Sequence, residues 1–384
     1  MPGVEKKPAF AMAFPFNQPT IPELGELTAQ LKDIFSSKMI TNGKYVREFE
    51  KNIAKYLGVK HAVAVSCCTA GLLLTLKALE LKGEVIVPSF TFSATVQALV
   101  WNNLKPVFVD CDPKNFNIDT KLIESLITSK TSAIMAVHVF GMPADVASLA
   151  KIAKKHGLKL IFDSAHAIGT KYNGKLVGGF GDAEVFSLSP TKVLTAGEGG
   201  IVATNDDVLA KNIRIGRDYA NPGDYNCQFA GLNARMTEFN AILGLKGLET
   251  IGEKVARRNE IADVYKENLK GLPGISFQEA APGSRCSYKD VSILIDPKKF
   301  GLTRDVLAEC LVKENIMTKK YYYPPVHHQK FITSMFKADE SRLKVTNYVS
   351  ENILSLPIFT HMKDRDIATI CGAISNIYKH RSQI

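Results

Sequence analysis

Short runs of apolar and β-branched residues recur in the first half of the chain, between residues 61 and 206. There are seven such runs: HAVAVS, GEVIVPS, KPVFVDCD, SAIMAVHVFG, KLIFDSAH, AEVFSLSP and GGIVATND. Each is short and apolar enough to be a buried strand. Amphipathic segments of helical length separate several of them, for example residues 69–81 and 144–156. This alternation predicts an α/β fold with a mostly parallel sheet of seven strands.

The pattern changes after residue 206. A long helical stretch runs from about Thr237 to Leu269, followed by GLPG and a shorter region of mixed strands and helices. We therefore predict a large domain of residues 1–255, which includes the N-terminal segment, and a smaller C-terminal α/β domain of residues 256–384. The segment FNQPTIPELGELTAQLKDIF has a Pro-rich start that cannot form a core by itself, so we expect it to pack against the body of the protein.

Composition and charge narrow the class of protein. With 384 residues, of which 46% are hydrophobic and 22% charged, the chain is typical of a globular protein with a large core. No apolar stretch approaches the roughly 20 residues of a membrane-spanning helix, so we expect a cytoplasmic protein without membrane association. The net charge of +10 would suit an anionic partner, but the basic residues are scattered and form no nucleic-acid-binding signature. We interpret them as solvated surface and predict no nucleic-acid partner.

Seven cysteines are spread along the chain, and no pair has the close spacing of a zinc or redox motif. We therefore predict reduced, mostly buried thiols and no metal centre. The adjacent Cys67 and Cys68 lie beside a predicted site, and the sequence leaves open whether they react or only pack.

Polar residues stand at the ends of the predicted strands. The residues that close an apolar run, or nearly so, are Ser66, Ser89, Asp110, His138, Asp163 and Ser187. In open α/β sheets, the loops at the carboxyl ends of strands project functional groups, and helix N-termini there offer free backbone amides. We expect the functional site at this edge of the sheet.

The most informative segment is residues 162–200, which places Asp163 at one strand end and Lys192 just past another. An enzyme that uses pyridoxal 5'-phosphate (PLP) needs a lysine amine to bind the cofactor aldehyde and a carboxylate to keep the pyridine nitrogen protonated. Ser187 could donate its hydroxyl to the cofactor phosphate. In the alternative interpretation, Asp163 caps a helix and Lys192 is a solvated loop lysine.

Two further strand ends fit the same cofactor. In SCCTAGLLL, the backbone amides of Thr69 and Ala70 would lie at a helix N-terminus and could bind a phosphate, although threonine is also an ordinary N-cap. In VPSFTFSAT, Phe92 could stack on a planar ring, although it could also be a core residue. His166 could orient the Asp163 carboxylate or a ring hydroxyl, or serve only in the structure.

Ten motifs carry a family resemblance. They are TAG, VPSFTF, PVFVDCDP, HVFGMPAD, DSAHAIG, FSLSPTK, GEGG, GLNARMTEFNA, YYPPVHHQ and LSLP. In this order, over nearly the whole chain, they resemble the DegT/DnrJ/StrS-type sugar aminotransferases. The resemblance implies the fold-type I architecture of PLP-dependent aminotransferases, with a seven-stranded large domain, a smaller C-terminal domain, and a homodimer whose active sites are shared between subunits.

The resemblance also implies roles for individual residues. Lys192 would be the catalytic Schiff-base lysine, and Asp163 would pair with the pyridine nitrogen. The remaining implied positions are Phe92 for ring stacking, Thr69, Ala70 and Ser187 for the phosphate, His166 beside the cofactor, Asn233 and Arg235 from across the dimer interface, and His327 near the substrate. Arg235 and His327 are thereby the candidate substrate-binding residues. The chain departs from the family by having Ser189 where a histidine is frequent and Cys68 where glycine or alanine is frequent.

The expected reaction is a ping-pong transamination from an amino-acid donor, glutamate, to a nucleotide-linked 3- or 4-keto-6-deoxy sugar. Family members in aminocyclitol pathways are similar, so a cyclitol ketone is an alternative acceptor. Related sugar dehydratases have a histidine in place of Lys192, and a non-catalytic regulator on this fold would have a degraded site. A nicotinamide dehydrogenase would need GxGxxG after its first strand, where this chain has SCCTAG. The sequence does not determine the sugar, the nucleotide, or whether C3 or C4 receives the amine.

Overall fold

The structure is a computed structural model and describes residues 7–384. The helices are α1 (Leu24–Ser37), α2 (Lys44–Leu57), α3 (Cys68–Ala78), α4 (Ser93–Trp101), α5 (Thr120–Ile123), α6 (Val146–His156), α7 (Asp207–Gly216), α8 (Glu238–Glu249), α9 (Ile251–Leu269), α10 (Pro297–Phe300), α11 (Arg304–Lys313), α12 (Lys330–Thr333), α13 (Lys344–Asn352) and α14 (Asp364–Lys379). The strands are β1 (His61–Val65), β2 (Glu84–Pro88), β3 (Lys105–Val109), β4 (Thr131–Val137), β5 (Lys159–Asp163), β6 (Lys171–Tyr172), β7 (Lys175–Leu176), β8 (Ala183–Ser187), β9 (Gly200–Thr204), β10 (Ile275–Phe277), β11 (Val291–Ile295) and β12 (Ile353–Leu356). Short 3-10 turns cover Glu124–Leu126, Val139–Gly141, Val326–His328, Glu340–Arg342 and Arg381–Gln383.

A seven-stranded sheet lies at the centre of the first half of the chain, in the order β1-β9-β8-β5-β4-β2-β3. The strands from β8 to β3 pair in parallel, whereas β9 runs antiparallel to both β8 and β1. Each of the seven apolar runs contains one of these strands or, for β4, all of the strand except its first residue. The prediction of a mostly parallel seven-stranded sheet is therefore confirmed.

The strands are apolar throughout because helices cover both faces of this sheet. In β2, Val85 and Val87 pack towards α3, α4 and α7, and Ile86 packs on the opposite face beside α6. Successive strand residues point to opposite faces, so a strand covered on both sides has no polar period. Burying each Val or Ile side chain contributes roughly 1.5–3 kcal/mol.

Glu238, at the start of α8, fastens α2 to the body of the protein. Its buried carboxylate accepts hydrogen bonds from the backbone N–H groups of Gly43, Tyr45 and Val46 at 2.9, 2.9 and 3.0 Å. These groups have no partner within the first turn of α2, and the positive end of the helix dipole favours a carboxylate there. The anion is thus stabilised by the helix that it holds in place.

The predicted helical stretch from Thr237 to Leu269 forms two helices, α8 and α9, which meet at Thr250. The second helix contributes to two cores. Val255 packs with the core of the large sheet, whereas Tyr265 belongs to a C-terminal core. The domain boundary predicted at residue 255 falls inside this helix and remains a prediction.

The C-terminal region has an antiparallel three-stranded sheet in the order β10-β11-β12. Residues of α9, α11 and α14 share its apolar core. From the other end of the chain, Phe14 stacks on Phe359 at 5.7 Å, so the N-terminal segment contacts this region. Further along, α1 packs against α8 through Leu27, Ile34 and Ile242, as expected of a segment that lacks a core of its own. Across residues 7–384, every helix is too short or too polar to span a bilayer.

Candidate active site

The carboxyl ends of the parallel strands meet the start of β9 at one edge of the large sheet. Gly200, the first residue of β9, lies against the junction between β1 and α3. A Cβ atom at this position would come within 2.7 Å of the Cys67 carbonyl carbon and of the Cys68 nitrogen. Only glycine permits this approach, which brings the N-terminus of α3 beside Ser187 at the end of β8.

A cavity of about 270 Å³ opens at this edge. Six of the residues predicted from the sequence line it: Thr69, Phe92, Asp163, His166, Ser187 and Lys192. The candidate site predicted at the carboxyl ends of the strands therefore coincides with a cavity that gathers most of the predicted residues.

Asp163 is 4% exposed and is held in one orientation. Its Oδ2 accepts a hydrogen bond from the Thr95 hydroxyl at 2.7 Å, and its Oδ1 accepts one from the Ala165 N–H at 3.1 Å. Burial raises the pKa of the Asp163 carboxyl, and the two donors oppose that rise. A cation bound beside this carboxylate would offset the burial, since a buried anion is stabilised by an opposite charge.

Lys192 lies in the loop after β8 and lines the cavity. Burial lowers the pKa of this amine to about 8, and the positive charge of Lys289 lowers it further, while Asp290 opposes the change. Lys289 itself is 3% exposed, and its ammonium donates to both carboxylate oxygens of Asp290 at 2.9 and 3.0 Å. Near physiological pH, an amine with this pKa has a far larger neutral fraction than an ordinary lysine, and the neutral amine is the form that attacks an aldehyde.

His166 is a neutral imidazole with a defined tautomer. Burial lowers its pKa well below the ordinary range, and the charges of Lys192 and Lys289 act in the same direction. Its Nδ1 accepts a hydrogen bond from the Phe140 N–H at 3.2 Å, which assigns the proton to Nε2. His166 therefore offers one N–H donor, and its ring packs against the Phe140 ring at 6.3 Å.

Hydroxyl and amide groups line the end of the cavity at the start of α3. Cys67, not Thr69, is the N-cap of this helix, and its Sγ accepts from the Ala70 N–H at 3.4 Å. Ala70 does not line the cavity, so within residues 7–384 only the Thr69 part of the predicted amide pair does. Ser187 Oγ donates a hydrogen bond to Ser189 Oγ at 3.3 Å. Ser189, which stands where the family often has histidine, therefore adds a second hydroxyl at this end of the cavity.

The two adjacent cysteines, whose role the sequence left open, both line the cavity but lie in different surroundings. Cys67 caps α3. Cys68 is buried, and burial raises its pKa well above the ordinary thiol value, so the reactive thiolate is suppressed.

Aromatic rings form the outer wall of the cavity. Phe92 is 57% exposed and lies 6.3 Å from the Tyr322 ring, with an interplanar angle of 52°. A phenylalanine with so much exposed surface is not a core residue. Its exposed face is free to pack against a planar ligand or a second protein surface.

Three predicted residues lie elsewhere. Asn233 is exposed and accepts from Arg235 at 3.1 Å, and Arg235 also pairs with Asp218 at 2.5 Å on the surface. His327 is buried against Ser89 and Phe108, outside the cavity lining. The chain by itself thus does not bring these three side chains to Lys192.

The cavity also contains residues that the sequence did not reveal. Among them are Thr91, Glu198, Lys289, Tyr321 and Tyr322. Thr95, which donates to Asp163 without lining the cavity, was not predicted either. Lys289 precedes β11 and the two tyrosines belong to the YYYPP segment, both far along the chain from residues 162–200. The segments YKD and YYYPP contain these residues, but no sequence pattern within either segment indicates that it forms a wall of the cavity.

These groups fit PLP. A lysine amine of lowered pKa, a buried carboxylate that forms no salt bridge within residues 7–384, a hydroxyl-lined helix N-terminus and an exposed aromatic ring are the groups that such an enzyme needs. Together with the mostly parallel sheet of seven strands, they define the class of fold-type I PLP-dependent aminotransferases.

Comparison with known proteins identifies the family, within this class, to which the chain belongs. The model of the DegT/DnrJ/EryC1/StrS aminotransferase family matches residues 23–375, and the chain belongs to this family. It is 34% identical over 358 residues to a dTDP-4-amino-4,6-dideoxy-D-glucose transaminase of Escherichia coli, covering 93% of this chain and 96% of that protein. It is 34% identical over 352 residues to a UDP-N-acetyl-3-dehydro-alpha-D-glucosamine 3-aminotransferase of Acidithiobacillus ferrooxidans, covering 91% and 93%.

Among solved structures, the chain is similar to DesI, whose crystal structure was determined in the presence of its TDP-sugar product. The TM-score is 0.92, with 35% identity over 98% of this chain and 96% of that one. The predicted family and fold are confirmed, and the protein is an aminotransferase whose relatives act on nucleotide sugars.

Proposed function

We propose that the protein transfers an amino group from glutamate to a nucleotide-linked 3- or 4-keto-6-deoxy sugar, with PLP as its cofactor. The observation that carries this proposal is the pairing, in one cavity, of Lys192, whose amine has a pKa of about 8, with the buried carboxylate of Asp163. The relatives support the substrate class, because their names specify dTDP- and UDP-linked sugars.

The cofactor would be held from three directions. Lys192 would bind its aldehyde, Asp163 its pyridine nitrogen, and Thr69 and Ser187 its phosphate. When bound, PLP supplies an electron sink that makes the substrate Cα–H acidic. The residues of this chain then have to hold charges and move protons around it.

Asp163 would keep the pyridine nitrogen protonated. Burial disfavours the lone carboxylate, so the carboxylate gains by pairing with a positive N–H in the same dry site. Thr95 donates to Oδ2 of Asp163 and Ala165 donates to Oδ1, so one lone pair on each carboxylate oxygen is occupied. These two bonds fix the direction of the remaining lone pairs. His166 is neutral, so it would donate its Nε2–H to the hydroxyl oxygen on the pyridine ring of the cofactor without adding a charge to the site.

Lys192 would carry the proton between substrate and cofactor once its amine is free. A pKa of about 8 lies close to the working pH, so the neutral amine can accept a proton at Nζ and the ammonium can return it. Lys289 would keep that value low from its place on the cavity wall, where Asp290 fixes its ammonium.

The site would be completed by a second copy of the chain. Asn233 and Arg235 lie on the surface outside their own cavity, and Phe92 leaves the mouth of the cavity exposed. We propose that the two polar residues reach the partner's cavity in a homodimer, where Arg235 would face an anionic substrate. The buried position of His327 does not favour direct contact with substrate.

The function can be tested by the two half-reactions. The protein is loaded with PLP and mixed separately with glutamate, aspartate and alanine, while the cofactor absorbance is followed. The amine form is then mixed with a panel of dTDP- and UDP-linked 3- and 4-keto sugars. We expect glutamate to convert the cofactor and at least one keto sugar to restore it, with an amino sugar as product.

The controls are Lys192→Ala, which should be inactive in both half-reactions, and Lys175→Ala, an exposed lysine of β7, which should match the parent protein. Conversion by the amino acids without recovery by any nucleotide-linked ketone would refute the proposed acceptor. No conversion by glutamate, with conversion by another amino acid, would refute the proposed donor.

A further inference from the structure

A cluster of two histidines and a glutamate lies outside the cavity. We propose that His327, His328 and Glu340 bind a divalent transition-metal ion of the zinc type, in addition to the aminotransferase site. The two histidines are adjacent on the turn Val326–His328, and Glu340 begins the turn Glu340–Arg342. Their ligand atoms all lie within 4.8 Å of one another.

The geometry at His327 indicates an additional ligand. Its side chain is buried, and within residues 7–384 its Nε2 has no hydrogen-bond partner. Glu340 Oε2 is 3.4 Å from this nitrogen, close enough for an ion pair, but the two atoms do not form a hydrogen bond. A buried ring nitrogen left without a partner is costly, and an atom between the two groups would satisfy both.

The distances suit a metal between the ligands. Zinc binds nitrogen and oxygen at about 2.0–2.2 Å, so neighbouring ligand atoms in a tetrahedral site are roughly 3.4 Å apart. His327 Nε2 and Glu340 Oε2 have that separation. His328 Nε2 and Glu340 Oε1 are closer, at a hydrogen-bond distance of 2.9 Å, and a bound ion would replace this hydrogen bond by a bond to each group.

Outer residues orient two of the three ligands. Ser89 Oγ lies 2.5 Å from His327 Nδ1, which fixes the ring and leaves Nε2 to face Glu340. Asn347 Nδ2 donates to Glu340 Oε2 at 3.0 Å. Such partners of the remote nitrogen and of the carboxylate are typical around bound zinc.

The donor set determines the class of ion. Two imidazoles and one carboxylate favour zinc and its neighbours over magnesium or calcium, which prefer oxygen ligands alone. Three protein ligands leave one position for water or another small ligand. Since Ser89 directly follows β2, the ion would fasten the chain around residues 326–347 to the end of this strand. The cysteine spacings that led us to predict no metal centre could not reveal this site.

The experiment uses the full chain with its cofactor and without a histidine tag. The protein is treated with a chelator, dialysed, and titrated with Zn²⁺ by calorimetry and with Co²⁺ by visible absorption. We expect one equivalent of Zn²⁺ to bind per chain and to raise the unfolding temperature. The absorption spectrum of bound Co²⁺ should indicate an ion with a low coordination number.

Two variants test the assignment at exposed positions, where folding is least at risk: His328→Ala and Glu340→Gln. Each should weaken Zn²⁺ binding by about tenfold or more. The matched control is His156→Ala, because His156 Nε2 also contacts a glutamate, Glu124, at 2.8 Å, outside the proposed site. It should bind Zn²⁺ as the parent protein does.

Absence of stoichiometric Zn²⁺ binding in the parent protein would overturn the proposal and leave an ordinary histidine–glutamate cluster. Equal binding by the parent protein and both variants would also overturn it, since the ion would then bind elsewhere. Neither result bears on transamination, because none of the three residues lines the active-site cavity.

Discussion

The reactivity of Lys192 in the apoprotein should rise with pH with a midpoint near 8. In the folded chain, burial and then the charge of Lys289 lower the pKa of this amine from 10.5 to about 8. The difference corresponds to about 3 kcal/mol of preference for the neutral amine. At pH 8, about half of Lys192 would be neutral, against roughly 0.3% of an ordinary lysine, so the nucleophile is some 150-fold more abundant.

The assay is competitive labelling. Trace acetic anhydride is added to the apoprotein at a series of pH values, and mass spectrometry gives the acetylated fraction of the Lys192 peptide. Lys175, an exposed lysine, serves as the internal reference for reagent decay. This readout does not depend on turnover or on the titration of the cofactor.

Two variants should move the midpoint in opposite directions. Lys289→Met removes a positive charge beside Lys192, so the pKa of Lys192 should rise. Asp290→Asn removes a negative charge and leaves Lys289 without its partner, so the pKa of Lys192 should fall. A parent midpoint near 10, or shifts of the same sign in both variants, would refute the electrostatic explanation.

Further variants test the other contacts. Asp163→Asn should retain PLP but lower the kcat of transamination roughly a hundredfold or more. Thr95→Val should lower kcat about tenfold, because the 2.7 Å hydrogen bond to Asp163 is lost. Unchanged kcat values would refute these roles. Equal amounts of Asn233→Ala and Lys192→Ala protein, unfolded and refolded together, should regain about a quarter of parental activity, since half of the dimers would contain one complete site; no recovery would indicate self-contained sites. Glu238→Ala should lower the free energy of unfolding in urea by roughly 3 kcal/mol, because three N–H groups of α2 lose their acceptor, whereas Glu249→Ala on the same helix should change it little; equal losses would contradict this explanation.

The sheet was predictable because its strands are buried on both sides and therefore appear as continuous apolar runs. The end of each run also located Asp163 and Ser187, since a strand that ends at a cavity changes abruptly from apolar to polar. The break between α8 and α9 at Thr250 was not visible, because both helices continue the same apolar periodicity.

Lys289 and the tyrosines of YYYPP could not be located from the sequence. They reach the cavity through the packing of the C-terminal region on the large sheet, and no local pattern encodes that approach. The N-cap of α3 could not be located from the sequence either. Threonine is a more usual N-cap residue than cysteine, which favoured Thr69, but the helix begins earlier and Cys67 is its N-cap. The substrate contact that the family resemblance suggested for His327 stays a prediction; in the structure, the ring is buried against Ser89.

The identity of the lysine that binds the cofactor tests the account most directly. The protein is incubated with PLP, reduced with borohydride, digested and mapped by mass spectrometry. We expect one pyridoxyl group per chain on Lys192, and none there in the Lys192→Ala variant. Stoichiometric labelling of Lys289 or of a surface lysine instead, with Lys192 unmodified, would contradict the assigned site.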